Sequence, residues 1–247
     1  MKVLGIIPAR YGSTRFPGKP LAMIGDKTMI HRVYERALKS TLDAVVVATD
    51  DTRIVDEVRG FGGQVVMTRA DHRSGTDRCV EALDLVGGGY DAVVNIQGDE
   101  PFIDPAQIDQ VADMIRRDDT DLATLAKRIQ DYDTLMNPNA VKMVFGEDGN
   151  ALYFSRQPIP FVRDAAPERW LESAEYYHHI GLYAYKADAL RRIHALPQGR
   201  LERAESLEQL RWLENGMRIR VAVTSCASSV SIDTPQDLLK LPKEWRS

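Results

Sequence analysis

The chain has little cysteine: among 247 residues only Cys79 and Cys226 carry thiols, and they lie far apart. That spacing fits neither a zinc site nor a redox pair, so a reduced, buried or indifferent role is expected for each. No uninterrupted apolar stretch approaches the ~20 residues that cross a bilayer. The N-terminus, MKVLGIIPAR, offers a short apolar run that Pro8 ends, with no small-residue cleavage site behind it. These absences predict a cytoplasmic protein with no membrane partner. An excess of positive charge is missing too, since 32 Lys and Arg face 36 Asp and Glu for a net charge of −4. Nucleic acid as a bulk partner demands a broad basic face, and is excluded on that ground. Repeats and low-complexity linkers are absent. What remains, 44% hydrophobic and 28% charged, is the composition of a globular domain.

Against that mildly acidic background, residues 8–20 read PARYGSTRFPGKP, with three cations (Arg10, Arg15, Lys19), two glycines, three prolines and no acid. The segment follows the buried-strand pattern KVLGII. A solvated proline-stiffened loop is one reading. The other is an anion cradle, in which glycines let backbone N–H groups approach phosphate oxygens and the cations neutralise their charge. It is not a Walker A loop, because the spacing from Gly12 to Gly18 and Lys19 is wrong and Pro20 stands where a hydroxyl residue belongs.

The first half alternates strand and helix in strict turn. The strand-like stretches KVLGII, AVVVATD, QVVMT and DAVVNIQGD are interleaved with helical ones, TMIHRVYERALKS, TRIVDEVRGFG, GTDRCVEALDLVGGG and PAQIDQVADMIRR. In the first helix Met29, Ile30, Val33, Ala37 and Leu38 fall along one side. The alternation implies an α/β domain with a mostly parallel sheet covered on both faces. Ligands of such sheets bind beyond the carboxyl ends of the strands. In the second half AVKMVF, GNALYFSR and YYHHIGLYAYK are β-prone, with GEDGN turning the first into the second. Helices are expected over ADALRRIHAL and over 204–216, AESLEQLRWLENG; a strand follows at RIRVAVT and a last helix at TPQDLLKL. The whole reads as one domain with an inserted, mostly antiparallel subregion, and 163–175 is its expected mobile loop.

Several polar residues then fall at the expected ligand-binding edge. Asp99, in NIQGDEPFID, is placed either to hold Mg²⁺ beside phosphates or to end an acidic turn. Asp233, in IDTPQD, either joins it or, like Thr234, caps the helix opened by Pro235. Ser74, Gly75 and Thr76 open a helix whose N-terminus can accept an anion or simply be capped. His178 and His179 are adjacent on a strand and so face opposite ways, which leaves at most one for any pocket.

Taken in order, IPARYGSTRFPGKPL, DHRSGTDR, NIQGDEPF, NPNAVKMVF, ALYFSRQPIPF, HHIGLYAY, SLEQLRWLENG and IDTPQDL resemble the motifs of the CMP-Kdo synthetases, the 3-deoxy-manno-octulosonate cytidylyltransferases, over nearly the whole chain. The resemblance implies a three-layer Rossmann-like nucleotidyltransferase fold, a homodimer in contact through 140–187, and the reaction of CTP with Kdo to CMP-Kdo and diphosphate. Kdo activated in this way enters lipopolysaccharide. It implies a single domain over 1–247, with 1–130 and 219–247 as nucleotide- and metal-binding core and 140–215 as the sugar-binding and dimerisation subregion. Arg10 and Lys19 are then catalytic with Asp99; Pro8, Ala9, Arg15, Arg73, Ser74, Gly75 and Gln97 complete the nucleotide site. Asp99 and Asp233 hold Mg²⁺, and Arg156, His179, Tyr183, Glu208 and Gln209 line the sugar-acid pocket. Related enzymes use an 8-amino derivative or sialic-type acids; by the resemblance, the amino-sugar variants depart from the Asp-Thr-Pro that this chain keeps at 233–235. A non-catalytic nucleotide sensor of the same fold has little use for a second metal-binding carboxylate.

Overall fold

The first strand, β1 (Val3–Ala9), is buried almost throughout in the computed structural model, which describes every residue except 13–15, 118, 227–231, 240, 242–244 and 246–247. Arg15, expected in the nucleotide site, therefore lies outside the described residues. After β1 come the two-residue strands β2 (Met23–Ile24) and β3 (Lys27–Thr28), then α1 (Met29–Ala37), β4 (Ala44–Thr49), α2 (Thr52–Gly60) and β5 (Val65–Met67). The first half closes with α3 (Gly75–Val86), β6 (Ala92–Asn95) and α4 (Pro105–Ile115). The second half holds β7 (Leu122–Arg128), α5 (Tyr132–Met136), β8 (Lys142–Phe145), β9 (Ala151–Ser155), α6 (Trp170–Ser173) and β10 (Tyr177–Lys186). It ends with α7 (Ala187–Ala195), α8 (Arg200–Glu205), α9 (Gln209–Glu214), β11 (Arg220–Val223) and α10 (Pro235–Leu238).

The central sheet runs β11-β7-β10-β6-β1-β4-β5. β5, β4, β1 and β6 are parallel neighbours. β10 is antiparallel to both β6 and β7, and β7 is parallel to β11. Side chains of β1 alternate between two cores: Val3 and Ile7 pack with Ile30, Val33, Ile54 and Val111 of α1, α2 and α4, whereas Leu4 and Ile6 pack with Cys79, Leu83, Leu190 and Trp212 of α3, α7 and α9. Three layers result, and each fully buried aliphatic side chain contributes roughly 1.5–3 kcal/mol. The chain moves outward from β1 through β4 to β5, then returns to place β6 on the other side of β1. That reversal opens a crevice beyond Ala9 and Asn95. Among the described residues, no helix is long and apolar enough to cross a membrane.

Five local features differ from the sequence reading. Leu38 is not part of the buried face of α1; it is 57% exposed just past the helix end, and Tyr34 is buried instead. β7, whose LATLAKR has threonine as its one β-branched residue, carries no strand signature in its sequence and is formed by burial between β10 and β11. β10 belongs to the central sheet, and the β8–β9 hairpin joins that sheet as a side branch through antiparallel pairing of β8 with the start of β10. The helix over 204–216 is two helices, broken where Ser206 adopts a left-handed conformation (φ 52°, ψ 47°). The stretch 163–175 is folded: its short helical turns are pinned by Trp170, buried with Ile129, Leu135 and Tyr176.

Candidate active site

Pro8, near the carboxyl end of β1, is squeezed by the loop after β6. A Cβ on Gly98 would lie 2.9 Å from the Pro8 carbonyl oxygen, closer than real contacts allow, so glycine is required where this loop crosses β1. The cationic loop is closed by Gly18, whose N–H donates to the Tyr11 carbonyl at 2.9 Å in a left-handed turn (φ +71°). The guanidinium of Arg53, held by Asp51, lies 3.3 Å from the centre of the Tyr11 ring. This closure leaves Arg10 and Lys19 lining a cleft of about 250 Å³ with Pro8, Ala9, Gln97, Asp99 and Asp233. An adjoining cleft of about 170 Å³ shares Pro8, Ala9, Arg10 and Gln97 and adds Arg73, Ser74 and Gly75. With Arg15 set aside, every residue expected at the nucleotide lines one cleft or the other.

The ammonium of Lys19 joins the two expected acids, 2.8 Å from Asp99 Oδ2 and 3.3 Å from Asp233 Oδ1. Asp233 arrives there because the Ile232 N–H donates to the Asp99 carbonyl at 3.0 Å, with Ile232 buried against Ile24, Met29 and Leu241. The capping role falls to its neighbours: Asp237 accepts from the Thr234 N–H at 2.9 Å and from its hydroxyl at 2.8 Å. The donor set fits Mg²⁺, a hard cation that takes oxygen ligands and binds through one or two carboxylates plus substrate phosphates. Among the described residues no cluster of three or more His, Cys, Asp and Glu could hold a metal, so the pair would need a ligand's oxygens to complete a shell.

The residues expected at the sugar acid are more dispersed. Glu208, at the start of α9, lines a third cleft of about 380 Å³ together with Arg73 and Ser74. Its carboxylate accepts from Ser74 Oγ at 3.2 Å and Thr76 Oγ1 at 3.0 Å, and burial raises its pKa. His179 and Tyr183 project from β10 with ring centres 5.1 Å apart, and His179 Nε2 lies 3.0 Å from Thr124 Oγ1. Burial, helped by neighbouring His178, brings the His179 pKa down to about 3, so the ring is neutral at physiological pH. The Tyr183 hydroxyl is buried with no hydrogen-bond partner within bonding distance among the described residues, and Gln209 is buried as well. Arg156 stands apart. Its guanidinium donates to three backbone carbonyls, those of Glu205, Pro138 and Ser206.

With this geometry in place, a family profile described as Cytidylyltransferase matches residues 4–219. The chain belongs to the cytidylyltransferase family. It is 56% identical over 241 residues, 96% of either chain, to a 3-deoxy-manno-octulosonate cytidylyltransferase of Bacteroides thetaiotaomicron. An 8-amino-3,8-dideoxy-manno-octulosonate cytidylyltransferase of Shewanella amazonensis is 51% identical, again over 96% of both chains. Among solved structures, a CMP:2-keto-3-deoxy-manno-octonic acid synthetase complexed with CTP superposes with a TM-score of 0.90 at 44% identity, covering 97% of this chain and 96% of the other.

Two residues of this cytidylyltransferase cleft escape sequence reasoning. Arg78 lines the Ser74 cleft while nearly buried, bonded to Asp50 Oδ2 at 2.9 Å, Thr68 Oγ1 at 2.5 Å and the Arg69 carbonyl at 3.2 Å. His72 lines the same cleft, paired with Glu81. Both stand within the DHRSGTDR motif, whose density of basic residues around Ser74 was the available signal. Their partners come from other elements and are invisible locally.

Proposed function

We propose that the protein transfers the CMP group of CTP to Kdo, giving CMP-Kdo and diphosphate, as a cytoplasmic homodimer. The observation that carries this reading is the meeting of Asp99 and Asp233 on Lys19 beside Arg10, at the crevice where a parallel sheet binds its ligand. Arg10 and Lys19 grip the triphosphate, while Ala9, Gln97, Arg73, Ser74 and Gly75 surround the rest of the nucleotide. Asp99 and Asp233 would hold Mg²⁺, which would supply the positive charge that both anionic substrates demand. The anomeric hydroxyl oxygen of Kdo attacks the α-phosphorus in line, the bond to the β-phosphate oxygen breaks, and the hydroxyl proton leaves to solvent. Positioning and charge compensation supply most of the acceleration in such transfers.

On the sugar side, neutral His179, Tyr183 and Gln209 offer hydrogen bonds to hydroxyls, and Glu208 accepts from them. Arg156 reaches the sugar carboxylate by trading one of its carbonyl partners, a favourable exchange because a guanidinium and a carboxylate pair through two parallel bonds. Leu152 and Phe161, 64% and 74% exposed along 140–187, support that region as the homodimer contact. Diphosphate release with CTP, Mg²⁺ and either Kdo or its 8-amino derivative tests the assignment. Turnover with Kdo well above the derivative is expected. Preference for the amino sugar would move the protein to the second activity, and release with neither would reject the enzyme reading.

A further inference from the structure

Glu208 is held by the opening turn of α3, 132 residues away in sequence, and the way it is held is specific. Ser74 caps α3 by accepting the Asp77 N–H at 3.1 Å, which leaves its own proton for Glu208 Oε1. Thr76, 3% exposed, gives its proton to Glu208 Oε2. Each carboxylate oxygen thus receives one hydroxyl, and the remaining lone pairs have defined directions.

The surroundings make those two donors matter. Burial disfavours the ionised carboxyl, and Asp77 repels it; Thr76, Arg211 at 3.6 Å and Ser74 act the other way. Tyr183, Tyr185 and Cys79 face the same carboxyl, and burial holds all three neutral. Arg211 is committed to Glu202 by two bonds of 2.7 and 2.8 Å, so its charge is shared. A carboxyl that loses its hydroxyl donors in such a place holds a proton more tightly, and a carboxyl once protonated no longer accepts at both oxygens.

We propose that Thr76, seconded by Ser74, is a positioning residue that fixes the Glu208 carboxylate as an acceptor and thereby couples the nucleotide-side turn to the sugar-side helix. The coupling to sugar rests on the function proposed above; the clamp itself does not.

The test compares Thr76→Val, which keeps the shape and removes the hydroxyl, with Thr76→Ser, which restores it. In substrate-free protein, ¹³C-carboxyl NMR follows the titration of Glu208, assigned by its loss in Glu208→Gln. Thr76→Val is expected to move that titration up by about one pH unit, a tenfold gain in proton affinity, and Thr76→Ser to return it. In kinetics, Thr76→Val raises the KM for Kdo roughly tenfold, leaves the KM for CTP within about twofold, and adds nothing in the Glu208→Gln background. An unmoved titration in Thr76→Val, or a Thr76→Ser protein as impaired as Thr76→Val, overturns the clamp. A moved titration with an unchanged KM for Kdo in both Thr76→Val and Glu208→Gln supports the clamp and overturns the sugar assignment. Should Thr76→Val fail to fold, Ser74→Ala carries the titration expectation alone, at Oε1 and with the buried Thr76 methyl untouched, because Ser74 also lines the nucleotide cleft and its loss is free to change the KM for CTP; an unmoved titration there overturns the clamp.

Discussion

The two ends of the proposed substrate site handle charge in opposite ways. At the phosphate end Lys19, Asp99 and Asp233 form a three-charge cluster with side chains 17%, 27% and 43% exposed, where opposite charges compensate one another and water still reaches them. At the proposed sugar end His179 and Tyr183 are kept neutral by burial, and the acid Glu208 is anchored by hydroxyls and a shared guanidinium. A triphosphate with its metal needs the first kind of surface, which can exchange one cation for another. A polyhydroxylated sugar needs the second, because neutral donors and acceptors discriminate hydroxyls by geometry while remaining indifferent to salt.

The comparison breaks most severely at Asp99. Asp99→Asn is expected to lower turnover on the order of 10²–10³-fold while leaving circular dichroism and the KM for Kdo near normal; a near-normal rate would reject its role in the charged cluster. Lys19→Ala sharpens the same point. It weakens CTP handling, seen in KM or kcat, yet without nucleotide it unburdens two carboxylates that share one ammonium. Free Mg²⁺ should then bind about tenfold more tightly than to the parent, a gain of about 1.4 kcal/mol, measured by titration calorimetry. Unchanged or weaker Mg²⁺ binding would show that the ammonium does not compete for the acids' charge.

The same contrast explains what was legible in the sequence. The cationic loop and Asp99 were readable because each follows a strongly apolar strand, and parallel topology sends such strand ends to one edge. Asp233 was legible as a candidate only. Its approach depends on a backbone bond from Ile232 to Asp99, and nothing local in IDTPQD announces a contact 133 positions away. The sugar end was harder still. β7 lacks β-branched residues apart from Thr124, whose hydroxyl nonetheless meets His179. The break at Ser206 that sets Glu208 at the head of α9 interrupts an unbroken helical pattern. Thr76, in a motif already singled out, gave no sign that its hydroxyl would be spent on α9. Periodicity reports which face is buried, and says little about which polar group waits there.

Smaller effects probe how the frame serves the two ends. Gly98→Ala pushes a methyl against the Pro8 carbonyl, backbone against which no side chain can yield. A loss of about 1–3 kcal/mol in stability is expected, with weaker CTP binding and an unaltered Glu208 titration, since the strain lies at the phosphate end. Denaturant melts with and without CTP would detect it, and a variant as stable as the parent would mean the β6 loop moves freely.

His179 gives the smallest effect and the most specific one. Its pKa lies near 3 in the folded chain against ~6.5 when unfolded. Between those values the unfolded state binds the extra proton, so stability contributed by the buried neutral ring is present above pH ~6.5 and is lost as pH falls toward 3, by about 1 kcal/mol or less per pH unit. His179→Asn removes that proton-linked component whatever it does to packing. The stability gap between parent and variant should therefore narrow between pH 7.5 and 5.5, and a gap of constant size would place the imidazole in contact with solvent.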